Sequence, residues 1–135
     1  SGMPTSPMCG RISTTWPMES PPMKPGEIFL GAFPFGDSPG VKVRPVLILS
    51  PVTGPAAEVL VGYISSVIPE QLLPTDIVLD SAMEIDRETH LKTRSVLRLH
   101  KLATIHRTSL PRFLGRLSPE RFANARALLS AWLSL

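Results

Sequence analysis

Between His90 and Arg116 the chain carries seven basic side chains, Lys92, Arg94, Arg98, Lys101, Arg107, Arg112 and Arg116, and no Asp or Glu. All three histidines, His90, His100 and His106, fall in the same stretch. Cations gathered in this way release counterions when they meet phosphates, so the run reads either as a nucleic-acid-binding surface or as a solvated positive face. An imidazole titrates near neutrality, which makes His100 a candidate general acid or base, a phosphate contact or a plain surface histidine. The histidine spacings of ten and six residues, without a clustered acid or cysteine, are no metal-ligand pattern, and no metal or cofactor is expected. Upstream, Arg44 stands directly before Pro45. Proline gives no N–H to a ladder, so this is an edge or strand-start position where an arginine can be exposed. The fixed donor fork of a guanidinium suits a phosphate; the competing reading is an ion pair with a nearby acid. The sequence has no Gly-rich phosphate loop, Walker pattern or Ser-His-Asp order.

These groups need a scaffold, and the patterning describes one. Glu27–Phe33 reads as a first strand closed by Pro34, and residues 35–43 as a Gly/Ser/Pro loop. Val43–Ser50 is an apolar run ended by Pro51, and Glu58–Ser66 pairs with it as a hairpin across Thr53-Gly54-Pro55. Thr75–Leu79 and Ser95–Leu99 alternate, and Lys101–Ile105 continues the latter after a bend. Residues 81–90 read as irregular, with Ser81 placed to cap a helical turn. Ser118-Pro119-Glu120 starts a helix: serine caps, proline fits the first position, and an acid suits the dipole. Phe122, Ala125, Leu129 and Trp132, flanked by Leu128 and Leu133, give that helix an apolar face to lay on the sheet. Five or six short strands, one C-terminal helix and no βαβ spacing predict a mainly β fold of the small-barrel type.

With 135 residues, one domain is the default. Residues 1–24 are punctuated by five prolines and show no periodicity, so they read as a tail, with the domain at 25–135. Ser1-Gly2 ahead of Met3 reads as a cloning remnant. The net charge is +3, and the single cysteine, Cys9, allows no intrachain disulfide. No apolar run is long enough to cross a membrane as a helix, and a cytoplasmic location is expected.

Three stretches together resemble a known family. They are Gly26–Leu30 with Val43-Arg44-Pro45-Val46-Leu47-Ile48-Leu49-Ser50-Pro51, then Val61–Ser66, then Arg94–Ile105 followed by Leu114-Gly115-Arg116-Leu117-Ser118-Pro119-Glu120. In order and spacing they resemble the MazF/PemK toxins of type II toxin–antitoxin systems, including the family's Gly-(Arg/Lys)-Leu-Ser turn before its last helix. The resemblance implies an SH3-like barrel, a homodimer, metal-independent cleavage of single-stranded RNA, a small acidic antitoxin partner, and DNA contact through the antitoxin complex. Arg44 matches the family's catalytic arginine, and Ser65 falls where the family has threonine, with Ser66 a weaker second. Lys42, Arg98 and Lys101 are then candidate substrate contacts. The sequence departs from the family in places. Pro39 stands where many members have glutamate, so Asp37 is the nearest acid; His100 stands where Asp is frequent, and Ala103 where Arg is. Those departures keep a second expectation open, a nucleic-acid- or partner-binding module on the same fold with little catalysis. A structural adaptor without any nucleic-acid role is a third.

Overall fold

The computed structural model describes residues 23–32 and 43–135. Asp37, Pro39, Lys42, Phe35, Cys9 and the loop between the first two strands therefore lie outside the described residues. Six strands follow in chain order: β1 (Glu27–Ala32), β2 (Val43–Ile48), β3 (Glu58–Ser65), β4 (Asp76–Leu79), β5 (Ser95–His106) and β6 (Arg112–Arg116). Helix α1 (Pro119–Leu133) ends the chain's regular structure, and short 3-10 helices cover Glu84–Thr89 and Arg107–Ser109. All pairings are antiparallel in one sheet of order β4-β5-β3-β2-β1-β6, curled into a half-barrel. This is the expected small-barrel class.

Alternation along the strands gives the sheet two apolar faces. One face collects Ile28, Leu47, Ile64, Leu97 and Leu99, and helix α1 lies against it through buried Ala125 and half-buried Phe122, Leu128 and Leu129. The other collects Phe29, Val46, Ile48, Val59, Val61 and Tyr63, with Leu110 and Met23 packed among them. The helix starts as anticipated: Ser118 Oγ accepts from the Arg121 N–H at 3.1 Å, and Pro119 is the first helical residue. Arg121 then clamps the helix by donating to both carboxylate oxygens of buried Asp86, at 2.9 and 3.1 Å. The apolar face is shorter than its periodicity suggested. Trp132 is 48% exposed and Leu133 47%, because the last turn extends past the sheet that the earlier turns cover.

Two further expectations change, and a third gains detail. Ser81 caps nothing: the 3-10 helix begins after Met83 without a side-chain cap, and the Ser81 hydroxyl donates instead to the Leu91 carbonyl at 2.6 Å. Leu114-Gly115-Arg116 is strand β6 rather than a turn, with Gly115 pressed so closely on the backbone of Glu88 and Thr89 that a Cβ there would collide. Ser95–Leu99 and Lys101–Ile105 are one strand, β5, whose bend is a bulge. Tyr63 pairs with Arg98 while its neighbour Gly62 pairs with Leu102, so Leu99, His100 and Lys101 have no partner opposite them on β3. Bulges of this kind re-aim side chains.

Candidate functional site

The pairing register assembles the site on the Tyr63 face. Val46 opposes Tyr63 on β3, which opposes Arg98 on β5, which opposes Asp76 on β4. Arg44, two residues before Val46 on β2, pairs with Gly31 of β1, and Ser65, two residues after Tyr63 on β3, pairs with Val96 of β5. Arg44 and Ser65, chosen from sequence, thus lie on adjacent strands, just beyond the Val46–Tyr63 pair. The Arg44 guanidinium carbon lies 5.9 Å from the centre of the Tyr63 ring, and Lys101 Nζ, delivered by the bulge, lies 5.7 Å from the same ring. Both distances are within reach of a cation–π attraction. One ring, that of Tyr63, thus lies within reach of both cations.

Beyond the bulge, Asp76 forms a second cluster. Its side chain is fully buried, and Arg98 donates to it from Nε at 3.0 Å and from Nη2 at 3.2 Å. The Leu73 N–H donates to the same carboxylate at 2.8 Å. His100 lies alongside, its Nδ1 3.4 Å from Thr75 Oγ1 and 3.9 Å from Asp76 Oδ1. Burial, then the positive charge of Arg98, hold the His100 pKa below its ordinary value; Asp76 pulls the other way, and Lys101 adds to the lowering. The imidazole is therefore neutral at neutral pH and able to accept a proton.

Ser65 and Ser66 part company. Ser65 is buried, and its hydroxyl closes a turn: Oγ accepts from the Val67 N–H at 3.1 Å and donates to the Val67 carbonyl at 3.3 Å. A phosphate contact would require it to exchange those bonds. Ser66 is exposed and, like Arg44, lines a cavity of about 340 Å³.

A model of the PemK-like, MazF-like toxins of type II toxin–antitoxin systems matches residues 24–133. The chain belongs to this toxin family. Among solved structures, the toxin is similar to MazF from Deinococcus radiodurans, with 20% identity, a TM-score of 0.64, and coverage of 86% of this chain and 100% of that one. It is similar to the Mycobacterium tuberculosis toxin MazF-mt6, with 22% identity, a TM-score of 0.59, and coverage of 81% and 97%. It is also similar to a mycobacterial endoribonuclease in complex with its cognate antitoxin, with 17% identity, a TM-score of 0.57, and coverage of 82% and 94%. At such identities the likeness speaks for the fold. Comparison with curated protein sequences gives no match.

The members of the toxin's basic run do not all have the same role. Arg98 is spent on Asp76, and the three histidines sit apart: His90 before β5, His100 in the bulge, His106 at the far end of β5. Among the described residues no three His, Cys, Asp or Glu side chains are grouped to hold a metal ion. Sequence reasoning missed Asp76. An acid at the start of an alternating strand looks solvated, and only the pairing of β4 with β5 brings it under Arg98.

Proposed function

We propose that the toxin is an endoribonuclease that cuts single-stranded RNA through the substrate's own 2′-hydroxyl. The observation that carries this reading is the placement of two cations, Arg44 and Lys101, within reach of the Tyr63 ring, with His100 next to Lys101 in the bulge and its pKa lowered by burial. His100 takes the 2′-hydroxyl proton. The freed oxygen bonds to the adjacent phosphorus, the bond from phosphorus to the 5′-oxygen breaks, and that oxygen leaves as a 5′-hydroxyl by taking a proton from water, while His100 returns its own to solvent. Arg44 and Lys101 stabilise the doubly charged phosphorane, where fixed cations act most strongly in the transition state. β2 and β5 are two strand spacings apart, about 10 Å, a gap that a nucleotide bridges.

Purified toxin incubated with a long single-stranded RNA and EDTA tests the reading. Discrete cuts with 5′-hydroxyl ends, lost in Arg44→Ala, support it; intact RNA overturns it. The internal turn made by the Ser65 hydroxyl favours a second reading, a module that binds RNA without cutting, and retention of uncut RNA would support that one.

The partner follows the same logic. A solved relative is in complex with its cognate antitoxin, and the present chain is basic, so a small acidic antitoxin is the proposed partner. A homodimer and contact with DNA through the antitoxin complex belong to the same proposal; light scattering tests the first and operator binding by the paired proteins the second.

A further inference from the structure

We propose that Thr75 is a positioning residue that holds the His100 ring with its proton on Nδ1 and leaves Nε2 as the acceptor for the substrate's 2′-hydroxyl proton, an inference that rests on the RNA reading above. Thr75 is buried and stands immediately before β4. Its carbonyl accepts from the Leu99 N–H at 3.1 Å, which pins the bulge residue that precedes His100. Its hydroxyl oxygen lies 3.4 Å from His100 Nδ1. One residue thus fixes the backbone that delivers the ring and also meets the ring itself.

A threonine hydroxyl can donate or accept, so its neighbours decide where the ring proton sits. Asp76 Oδ1 lies 3.9 Å from the same nitrogen. That oxygen accepts from Arg98 Nε, while Oδ2 takes Arg98 Nη2 and the Leu73 N–H, which leaves Oδ1 room for another donor. A proton on Nδ1 faces both oxygens favourably, whereas a bare lone pair there would face a negative charge. At 3.4 Å the contact with Thr75 is long, as catalytic hydrogen bonds often are before substrate binds. Arg98 and Lys101 oppose a second proton on the ring, so one nitrogen stays an acceptor. The His100 side chain keeps 24% of its surface, and among the described residues Nε2 has no hydrogen-bond partner. The reverse arrangement, with Thr75 donating to Nδ1, would put the proton on Nε2 and make the ring a donor instead of a base.

Long-range proton–nitrogen NMR spectra of isotope-labelled toxin, recorded above the imidazole range, read the tautomer directly. His90 is the internal reference: its Nδ1 lies 2.9 Å from the Leu114 carbonyl, which only accepts, so that nitrogen carries the proton of the neutral ring. His100, assigned by its loss in His100→Gln, shows the same Nδ1–H pattern. Thr75→Val keeps the side-chain shape and the backbone bond to Leu99 but removes the hydroxyl. It moves His100 toward the Nε2–H form and slows single-turnover cleavage of single-stranded RNA about tenfold, the worth of one hydrogen bond, with unchanged affinity for uncleavable 2′-O-methylated RNA. Thr75→Ser restores both pattern and rate. A His100 ring protonated on Nε2 in the intact toxin overturns the inference, whether or not the valine variant folds; so does a folded valine variant with unchanged tautomer or rate. Either result alongside cuts that depend on Arg44 sinks this inference alone. An Nδ1–H pattern that Thr75→Val reverses, in a toxin that leaves RNA intact, sinks the cleavage reading alone.

Discussion

Asp76→Ala is expected to cost the fold about 2–4 kcal/mol. The carboxylate is fully buried, while the Arg98 side chain that donates to it keeps 18% of its surface. Removing one partner of a buried ion pair costs about 3–5 kcal/mol, because the other charge is left without compensation. Arg98 recovers some hydration through its exposed fraction, which lowers the figure. The Leu73 N–H adds little, since that residue is at the surface and water replaces the lost acceptor. At about 4 °C per kcal/mol for a domain of this size, the melting temperature falls by about 8–15 °C. Urea unfolding followed by circular dichroism measures the change directly. In an Arg98→Met background the same substitution costs about 1 kcal/mol, because the stranded cation is gone. A loss below about 1 kcal/mol in the otherwise intact protein would refute the reasoning, since it would mean that Arg98 is solvated whether or not Asp76 is there.

Three further outcomes follow from the packing. His100 has a folded-state pKa below its ordinary value, so between the two values the unfolded chain binds more protons. Stability therefore falls as the pH drops from neutrality through the ordinary imidazole range, and His100→Gln flattens that slope in pH-dependent melts; an unaltered slope would count against it. Gly115→Ala drives a methyl into the backbone of Glu88 and Thr89 and costs about 1–3 kcal/mol in urea unfolding, whereas a neutral result would mean that β6 moves freely on the 3-10 helix. Ser118→Ala removes the oxygen that accepts from the Arg121 N–H and costs about 1 kcal/mol, read from the same unfolding curves, with Ser118→Asp restoring most of it.

The elements legible in the sequence are those whose signals are local. The Arg44–Ser50 run showed a strand because apolar residues accumulate there before Pro51, and Ser50 accepts from the Leu60 N–H at 3.0 Å to lock the hairpin it begins. The helix start was legible because capping is decided within four residues. What failed was decided at a distance. Ser81 looked like a cap, but the chain brings Leu91 to it. Trp132 fits the helical period, yet no sheet lies beneath the last turn. For the site, Arg44 and Ser65 were chosen by motif, and the strand order puts them on adjacent strands. Asp76 and the partnership of Tyr63 with two cations depend on strand order, which no local pattern encodes.

The bulge in β5 has a bearing on more than the site. Three unpaired residues is an odd number, so the strand emerges with its inside and outside exchanged. Leu97 and Leu99 therefore serve the helix-covered face, while Ala103 and Ile105, the same parity in sequence, serve the other. Losing a single residue from this segment would turn Thr104 and His106 toward grease and expel Ile105 into water. Substitution there edits a side chain, whereas deletion rewrites the remainder of the strand. Relatives whose chains differ in length at this point cannot be matched to this toxin by counting residues across it.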